Sequence, residues 1–262
     1  MVVNKIYPTD LTDNQWNHIK DFFPEPKKTG RPREVEFRAI VNAILFLLFT
    51  GCQWRFIPQD YPCWETVYYY FAKWKNDGTW YRIHESLRAE ERLRQGKKKH
   101  PTAGAADSQS VKTTSVPSSR GFDGGKKING RKRHILVDTL GLLITVVVTT
   151  ACIQDRDGLK KLLCTFGVHR KKLRKIWVDG GYRGQVIEWV KSKFRYCLEV
   201  VLRSDEVTGF VVLPKRWIVE RTFAWLNNHR RLSKDYERDP KTSETMIQIA
   251  MIRIMLRRLQ PL

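Results

Sequence analysis

Two β-branched runs, residues 132–138 and 142–150, meet at Thr139-Leu140-Gly141. Two such runs joined by a short glycine-bearing turn are the signature of a hairpin. Around this hairpin the second half of the chain reads strand, strand, strand, helix, strand, helix, strand, helix. Residues 103–111 form the first strand. Asp155 or Asp157 caps a helix reaching Leu163, and the strand at 175–179 ends in Gly180-Gly181. A helix at 185–193, a strand at 196–202 and a long helix from Lys215, just after Pro214, follow, with a last helix over 243–259. Neighbouring strands joined by tight turns pair antiparallel, whereas strands separated by helices cross over and run parallel. The order therefore predicts an α/β fold: a mixed sheet flanked by helices, with a leading antiparallel meander and later α/β crossovers.

Residues 1–88 carry a helical period instead. Thr12 or Asp13 caps a helix over 15–23 that stops at Pro24. A second helix, 34–49, is apolar at Phe37, Ile40, Val41, Ile44, Leu45 and Leu48 and ends at Gly51. A third, 64–74, places Val67, Tyr70, Phe71 and Trp74 on one face. Short helices joined by tight turns suit a helix-turn-helix module that binds DNA, or equally a small bundle with no groove-reading role. Arg92, Arg94, Lys97, Lys98, Lys99 and His100 surround Gly96 in a solvated basic linker. The expected division is 1–88 helical, 89–102 linker and 103–262 mixed sheet.

Lys and Arg number 48 against 27 Asp and Glu, a net charge of +21. A surplus of that size points to a polyanion, nucleic acid above all. The longest apolar runs, 43–49 and 142–148, are far shorter than the roughly 20 residues of a bilayer-spanning helix, which sets membrane insertion aside. Residues 1–10 hold no apolar signal core, so a cytoplasmic, nucleoid-associated protein is expected. The five cysteines are odd in number and widely spaced, as free thiols in a reducing compartment are. Cys152, Cys164 and His169 are too irregularly spaced to suggest zinc, and no phosphate-binding loop, GxGxxG or GxSxG occurs.

Three carboxylates stand out. Asp107 interrupts a small, apolar strand; Asp179 ends another before two glycines; Glu220 sits early in the long helix among Trp217, Ile218, Val219 and Phe223. An ionised carboxylate in apolar surroundings is costly unless it is paired or bound to a cation. Three converging acids in a basic protein suggest Mg²⁺ held by oxygen ligands beside a nucleic-acid phosphate. Asp is depleted in strands, so Asp107 has little structural use. Asp179 also suits a turn cap and Glu220 a first helical turn, and those readings stay open. Asp138 reads as a turn residue, and Asp155 and Asp157 as helix caps.

Cations crowd these acids. The stretch 120–133 is glycine-rich and basic, either a loop tracking phosphates or a solvated hairpin tip. Arg216 lies one helical turn before Glu220, and Arg221, Arg230 and Arg231 continue along that segment as phosphate clamps or plain solvent-facing cations. Trp217 and Trp225 suit the core of an amphipathic helix better than a base-stacking surface. The expected DNA contacts are Lys112, Lys126, Lys127, Arg131, Arg133, Arg183, Arg216, Arg221, Arg230 and Arg231.

Three ordered strings complete the reading: Ala106-Asp107-Ser108-Gln109-Ser110-Val111-Lys112, Trp177-Val178-Asp179-Gly180-Gly181-Tyr182-Arg183-Gly184, and the stretch Arg216-Trp217-Ile218-Val219-Glu220-Arg221-Thr222-Phe223-Ala224-Trp225-Leu226. Together they resemble the DDE transposases of bacterial insertion sequences, above all the insertion-sequence-five family. The likeness extends to the opening Leu11-Thr12-Asp13-Asn14-Gln15-Trp16 and the turn Gly51-Cys52-Gln53-Trp54-Arg55. It implies an RNase H-like core behind a small helical domain, with Asp107, Asp179 and Glu220 as catalytic and metal-binding residues. It also implies cleavage of double-stranded DNA at the element's ends, strand transfer of the 3′-hydroxyl into target DNA, Mg²⁺ with Mn²⁺ able to substitute, and a homodimer in the DNA complex. In the family's helix a Tyr and an Arg precede the Glu and a Lys follows it. Arg216 keeps the Arg interval, whereas Leu213 and Asn227 stand at the Tyr and Lys positions, leaving Arg230 or Arg231 to supply the late charge. An RNase H-like nuclease without strand transfer and a non-enzymatic DNA-binding regulator are the alternatives.

Overall fold

The computed structural model describes residues 7–24, 35–114, 119–166, 172–201, 215 and 217–261. It divides into two compact units. One gathers Met1–Glu91 with Asn228–Ser233 and Thr245–Leu262, and the other gathers Arg92–Asn227 with Lys234–Glu244. This differs from the expected division at two places. Helix α4 (Thr79–Arg94) runs into the expected linker, because Ala89, Glu90, Glu91, Arg92, Leu93 and Arg94 are all good or tolerable helix formers. The greater part of the last helix, α8 (Pro240–Leu259), groups with the N-terminal helices rather than with the sheet.

In the first unit, α1 (Asp13–Ile19) opens with a reciprocal cap. The Gln15 amide N–H donates to the Thr12 hydroxyl, and the Thr12 N–H donates to Gln15 Oε1, both at 3.2 Å. The helix is shorter than expected, because a tighter 3₁₀ turn, Lys20–Phe22, takes over ahead of Pro24. Helix α2 (Phe37–Thr50) is buried on most sides and closes at Gly51, whose φ of 75° allows its N–H to reach the Leu47 carbonyl at 2.9 Å. Helix α3 (Trp64–Asn76) buries Val67, Phe71 and Trp74. Trp74 is the hub of an aromatic cluster, with ring centroids 4.6 Å from Phe23, 5.2 Å from Phe37 and 5.4 Å from Trp80.

The second unit is built on one mixed sheet. Its strands are β1 (Ala103–Lys112), β2 (Gly121–Asp123), β3 (Ile128–Asp138), β4 (Leu143–Thr150), β5 (Lys175–Val178) and β6 (Cys197–Val200). β3 pairs antiparallel with β4 and β1, and β1 with β5 and β5 with β6 pair parallel, so the principal order is β4-β3-β1-β5-β6. The expected meander and crossovers are present, and the sheet is RNase H-like. Strand β3 begins four residues earlier than its β-branched run, because the glycine-rich stretch folds into a β2–β3 hairpin: Gly121 pairs with Gly130 and Asp123 with Ile128. Asp138 takes its expected turn role, accepting the Leu140 and Leu142 N–H groups at 2.8 and 2.9 Å, and also pairs with Arg92.

Helices α5 (Asp155–Thr165) and α6 (Gln185–Phe194) cover one face of this sheet, over Ala106, Leu136, Ile144, Leu159, Leu163, Ile176 and Val190. Burying each such aliphatic chain is worth roughly 1.5–3 kcal/mol. Helix α7 (Trp217–Asn227) packs against β1 and β3 and buries Val219, Thr222, Phe223 and Leu226. Among the described residues, no helix is long and apolar enough to cross a membrane.

Candidate active site

Side chains alternate across a strand, so Ala105, Asp107 and Gln109 share one face of β1 while Ala106, Ser108 and Ser110 share the other. In the antiparallel register Asp107 lies opposite Ile135 and Gln109 opposite Arg133. Arg133 donates to the Lys234 carbonyl at 3.2 Å, so the chain leaving α7 returns over the face that carries Asp107.

Asp107 is half-buried, and burial pushes its carboxyl up to about 6. The charges of Asp179 and Asp155 push the same way, and the Ser108 N–H, 2.7 Å from Oδ1, together with Lys126 pulls it back. Asp179 caps the turn Gly180–Tyr182, accepting the Gly181 N–H at 2.9 Å, so its structural reading holds alongside its proximity to Asp107. The structure brings these two aspartates together. Glu220 is half-buried in the first turn of α7. Among the described residues, no three His, Cys, Asp or Glu side chains gather closely enough to hold a metal ion, so Glu220 does not close a cage with the pair. The donor chemistry of the pair does fit a hard divalent cation: oxygen ligands only, one carboxylate beside another, and an Asp107 pKa raised by burial and then by the charge of Asp179.

Behind Asp107, on the α5 face, lies a polar network that sequence reasoning missed. The Ser108 hydroxyl donates to Asp155 Oδ1 at 2.6 Å, and the Ser110 hydroxyl to Asp123 Oδ2 at 2.6 Å. Lys132 Nζ bridges Asp155 and Asp123 at 3.1 and 3.2 Å. Against the cost of burial, the bonds from Ser108 and Lys132 hold the Asp155 carboxyl below its usual range. Asp155 is therefore not the expected helix cap: Gln154 occupies that position and makes no side-chain cap bond. The available signal was the pair of serines at alternate positions of an otherwise apolar strand.

A family described as "Transposase DDE domain" matches residues 98–255, more than half of the chain. The chain belongs to the DDE-domain transposases. A second family, described as "Putative transposase of IS4/5 family", matches residues 11–84. An "Insertion element IS402 uncharacterized 16.2 kDa protein" of Burkholderia cepacia is 32% identical over 108 residues, covering 39% of this chain and 72% of that protein. A "Putative transposase for insertion sequence element IS402" of the same organism is 28% identical over 116 residues, covering 42% of this chain and 54% of that protein. The chain thus spans about half the length of that second relative.

Of the cations expected to meet DNA in this DDE-domain transposase, Lys112, Lys126, Lys127, Arg183 and Arg230 are exposed. Arg131, Arg133 and Arg231 are not. Arg131 is fully buried, pairing with Asp235 at 3.2 Å and donating to the Glu237 and Arg238 carbonyls and the Ser243 hydroxyl. Arg133 is likewise buried, and Arg231 donates to the Cys52 carbonyl at 2.9 Å. A guanidinium engaged inside the chain is not presented to a phosphate. Arg216 and Leu213 lie outside the described residues. Trp217 and Trp225 are not core either: Trp217 is 40% exposed, Trp225 half-buried, and the Arg221 guanidinium lies over both rings at 4.7 and 4.8 Å. The α7 core stripe falls instead on Val219, Phe223 and Leu226.

Proposed function

We propose that this chain is a transposase that cleaves phosphodiester bonds at the ends of its element and transfers the freed 3′-hydroxyl into target DNA. The reading rests on Asp107, a carboxylate that burial raises in the middle of β1, and on Asp179, whose charge acts on it from just past the end of β5 of an RNase H-like sheet. Asp107 and Asp179 would hold Mg²⁺, for which Mn²⁺ would substitute, and Glu220, although not gathered with them in this structure, is proposed as the third ligand when the site is filled; the ion would supply Lewis-acid charge to an in-line displacement at phosphorus.

The chain's own groups supply positioning and charge. The Ser108 N–H donates to one oxygen of Asp107 and holds that carboxylate in place. Asp179 is held by the Gly181 N–H, so neither carboxylate must be ordered at the moment of reaction. Lys126 and Lys127 at the hairpin tip, Lys112 at the end of β1 and Arg183 beyond the Asp179 turn offer exposed charge to phosphates. Arg221, held between two tryptophans, is proposed as a further contact, as are Arg230 and Arg216. Double-stranded DNA is the proposed partner. A homodimer in the DNA complex follows from the need to handle two ends together.

The test is purified Asp107→Asn with a duplex carrying the element's terminal repeat. Binding in a gel shift is retained and cleavage with Mg²⁺ falls to background. Full cleavage by the variant overturns the proposal.

A further inference from the structure

Side chains alternate along β3, so Ile135, Arg133, Arg131 and Asn129 share the face that carries Asp107, which lies opposite Ile135. The chain between Lys234 and Ser243 covers Arg133 and Arg131 on that face. Asn129, next in the row, is exposed. Phe122 of β2 pairs directly with Asn129, so the two project side by side, and Phe122 is 59% exposed. An aromatic ring and a carboxamide thus stand together on the outside of a two-stranded ribbon, between Arg120 and the tip lysines Lys126 and Lys127, all exposed.

The opposite face of the ribbon is fastened down. Asp123, which pairs with Ile128, turns to the α5 side, where its Oδ2 accepts from the Ser110 hydroxyl at 2.6 Å and pairs with Lys132 at 3.2 Å. Its Oδ1 accepts the Gly125 and Lys126 N–H groups, both at 3.1 Å, and so closes the tip. The Lys126 ammonium donates to the Ser108 carbonyl at 3.2 Å, one residue from Asp107. The ribbon is held in shape from this side, and Phe122 and Asn129 stand on the side that the anchor leaves open.

We infer that Phe122 and Asn129 read an A·T base pair in the major groove of the DNA bound at Asp107. A two-stranded ribbon fits that groove, where an asparagine amide bonds N6 and N7 of adenine and a phenyl ring packs on the thymine methyl group. The surrounding cations fix the ribbon on the phosphates without reading sequence. Ile135 and Asn129 are six positions apart on one strand, about 20 Å at roughly 3.4 Å per residue. The rise per base pair is about the same, so the pair that is read lies about six base pairs from the phosphate at Asp107. The inference rests on the reading of the Asp107 site as one that cleaves DNA.

The test is fluorescence anisotropy of the full chain on a labelled duplex carrying the element's terminal repeat, each A·T pair being exchanged in turn for G·C. Wild type is expected to lose about tenfold in affinity at a pair about six base pairs from the cleaved phosphate, the worth of one good base contact. Uracil for thymine there removes only the methyl group, and 7-deazaadenine for adenine removes only the N7 acceptor; each reproduces part of the loss. Phe122→Ala no longer responds to uracil and Asn129→Ala no longer to 7-deazaadenine. Both keep the wild-type slope of log K against log salt, since no phosphate contact is lost. Retention of the full A·T preference by the double variant overturns the readout alone, as does a wild-type chain that binds equally well whichever pair at that distance is exchanged. A wild-type chain that does not bind the duplex overturns the DNA-cleaving reading, and the inference with it. Should the double variant fail to fold, the two single variants on the base analogues decide.

Discussion

Asp107 and Asp179 each sit two residues beyond the last parallel rung of their strands, Ala105 opposite Trp177. Asp107 is held by its register opposite Ile135 of β3, and Asp179 by the turn it caps. Burial of the Asp107 carboxyl has a cost to stability, and that cost can be measured.

The Asp107 carboxyl is raised from 3.8 to about 6 in the folded chain. A carboxyl raised on folding contributes stability that is complete below its unfolded pKa and lost as pH climbs through the folded one. Asp107→Asn removes that loss. At pH 8 the variant is expected to melt above wild type, by on the order of 2 kcal/mol, and near pH 4 the two converge. Thermal unfolding across pH, without divalent ions, checks this; a destabilised variant at pH 8 contradicts it.

Glu244 is a second such group, remote from the aspartates. Burial lifts it from 4.5 to about 7, against the Val148 N–H it accepts at 2.9 Å. Wild type therefore loses stability between roughly pH 4.5 and pH 7 on this account. Glu244→Gln keeps an acceptor for Val148 and removes the titration, so it flattens the pH dependence and gains at pH 8. Chemical denaturation at pH 4.5 and pH 8 gives the comparison, and an unchanged pH slope counts against it.

Gly158 in α5 leaves room for a buried histidine. A Cβ there would stand 1.9 Å from His134 Cε1, while His134 itself bonds Thr149 at 3.0 Å. Gly158→Ala, although favourable to helix propensity, is expected to destabilise by about 1–3 kcal/mol through overpacking. Equal or higher stability, measured by urea titration, would show that the imidazole moves aside freely.

Buried and exposed cations separate cleanly by experiment. Arg131→Ala strands Asp235 without its partner and is expected to cost roughly 3–5 kcal/mol of stability. The double variant Lys112→Gln, Lys127→Gln leaves the melting temperature in place. Its DNA affinity falls, and the slope of log K against log salt drops by about 0.9 for each phosphate that the variant no longer neutralises. A double variant with unchanged salt dependence would remove those two lysines from the DNA surface.

The fold was legible wherever local pattern and tertiary role agree. The Asp138 turn, the β-branched hairpin and the buried stripe of Val67, Phe71 and Trp74 are all read from nearest neighbours. Asp107 was legible because a carboxylate is out of place in an apolar strand. What escaped depends on distant partners. Arg131 reads as one more cation of a basic loop until Asp235 is brought to it, and Asp155 reads as a helix cap until Ser108 and Lys132 claim its oxygens. Trp217 and Trp225 share an amphipathic helix with apolar neighbours, yet the core stripe falls on Val219, Phe223 and Leu226. Burial of that helix is decided by rotation about its axis, which composition does not reveal.

More than a hundred residues separate Arg131 from its partners at Asp235, Glu237, Arg238 and Ser243. During synthesis β3 leaves the ribosome long before the segment that neutralises it. Until then, closing the sheet over β3 would entomb a lone guanidinium. A product cut short before residue 235 would carry Asp107 and Asp179 yet lack the counter-ion that lets β3 settle with Arg131 buried, so the order of synthesis makes closure of this sheet wait on the segment that brings Asp235.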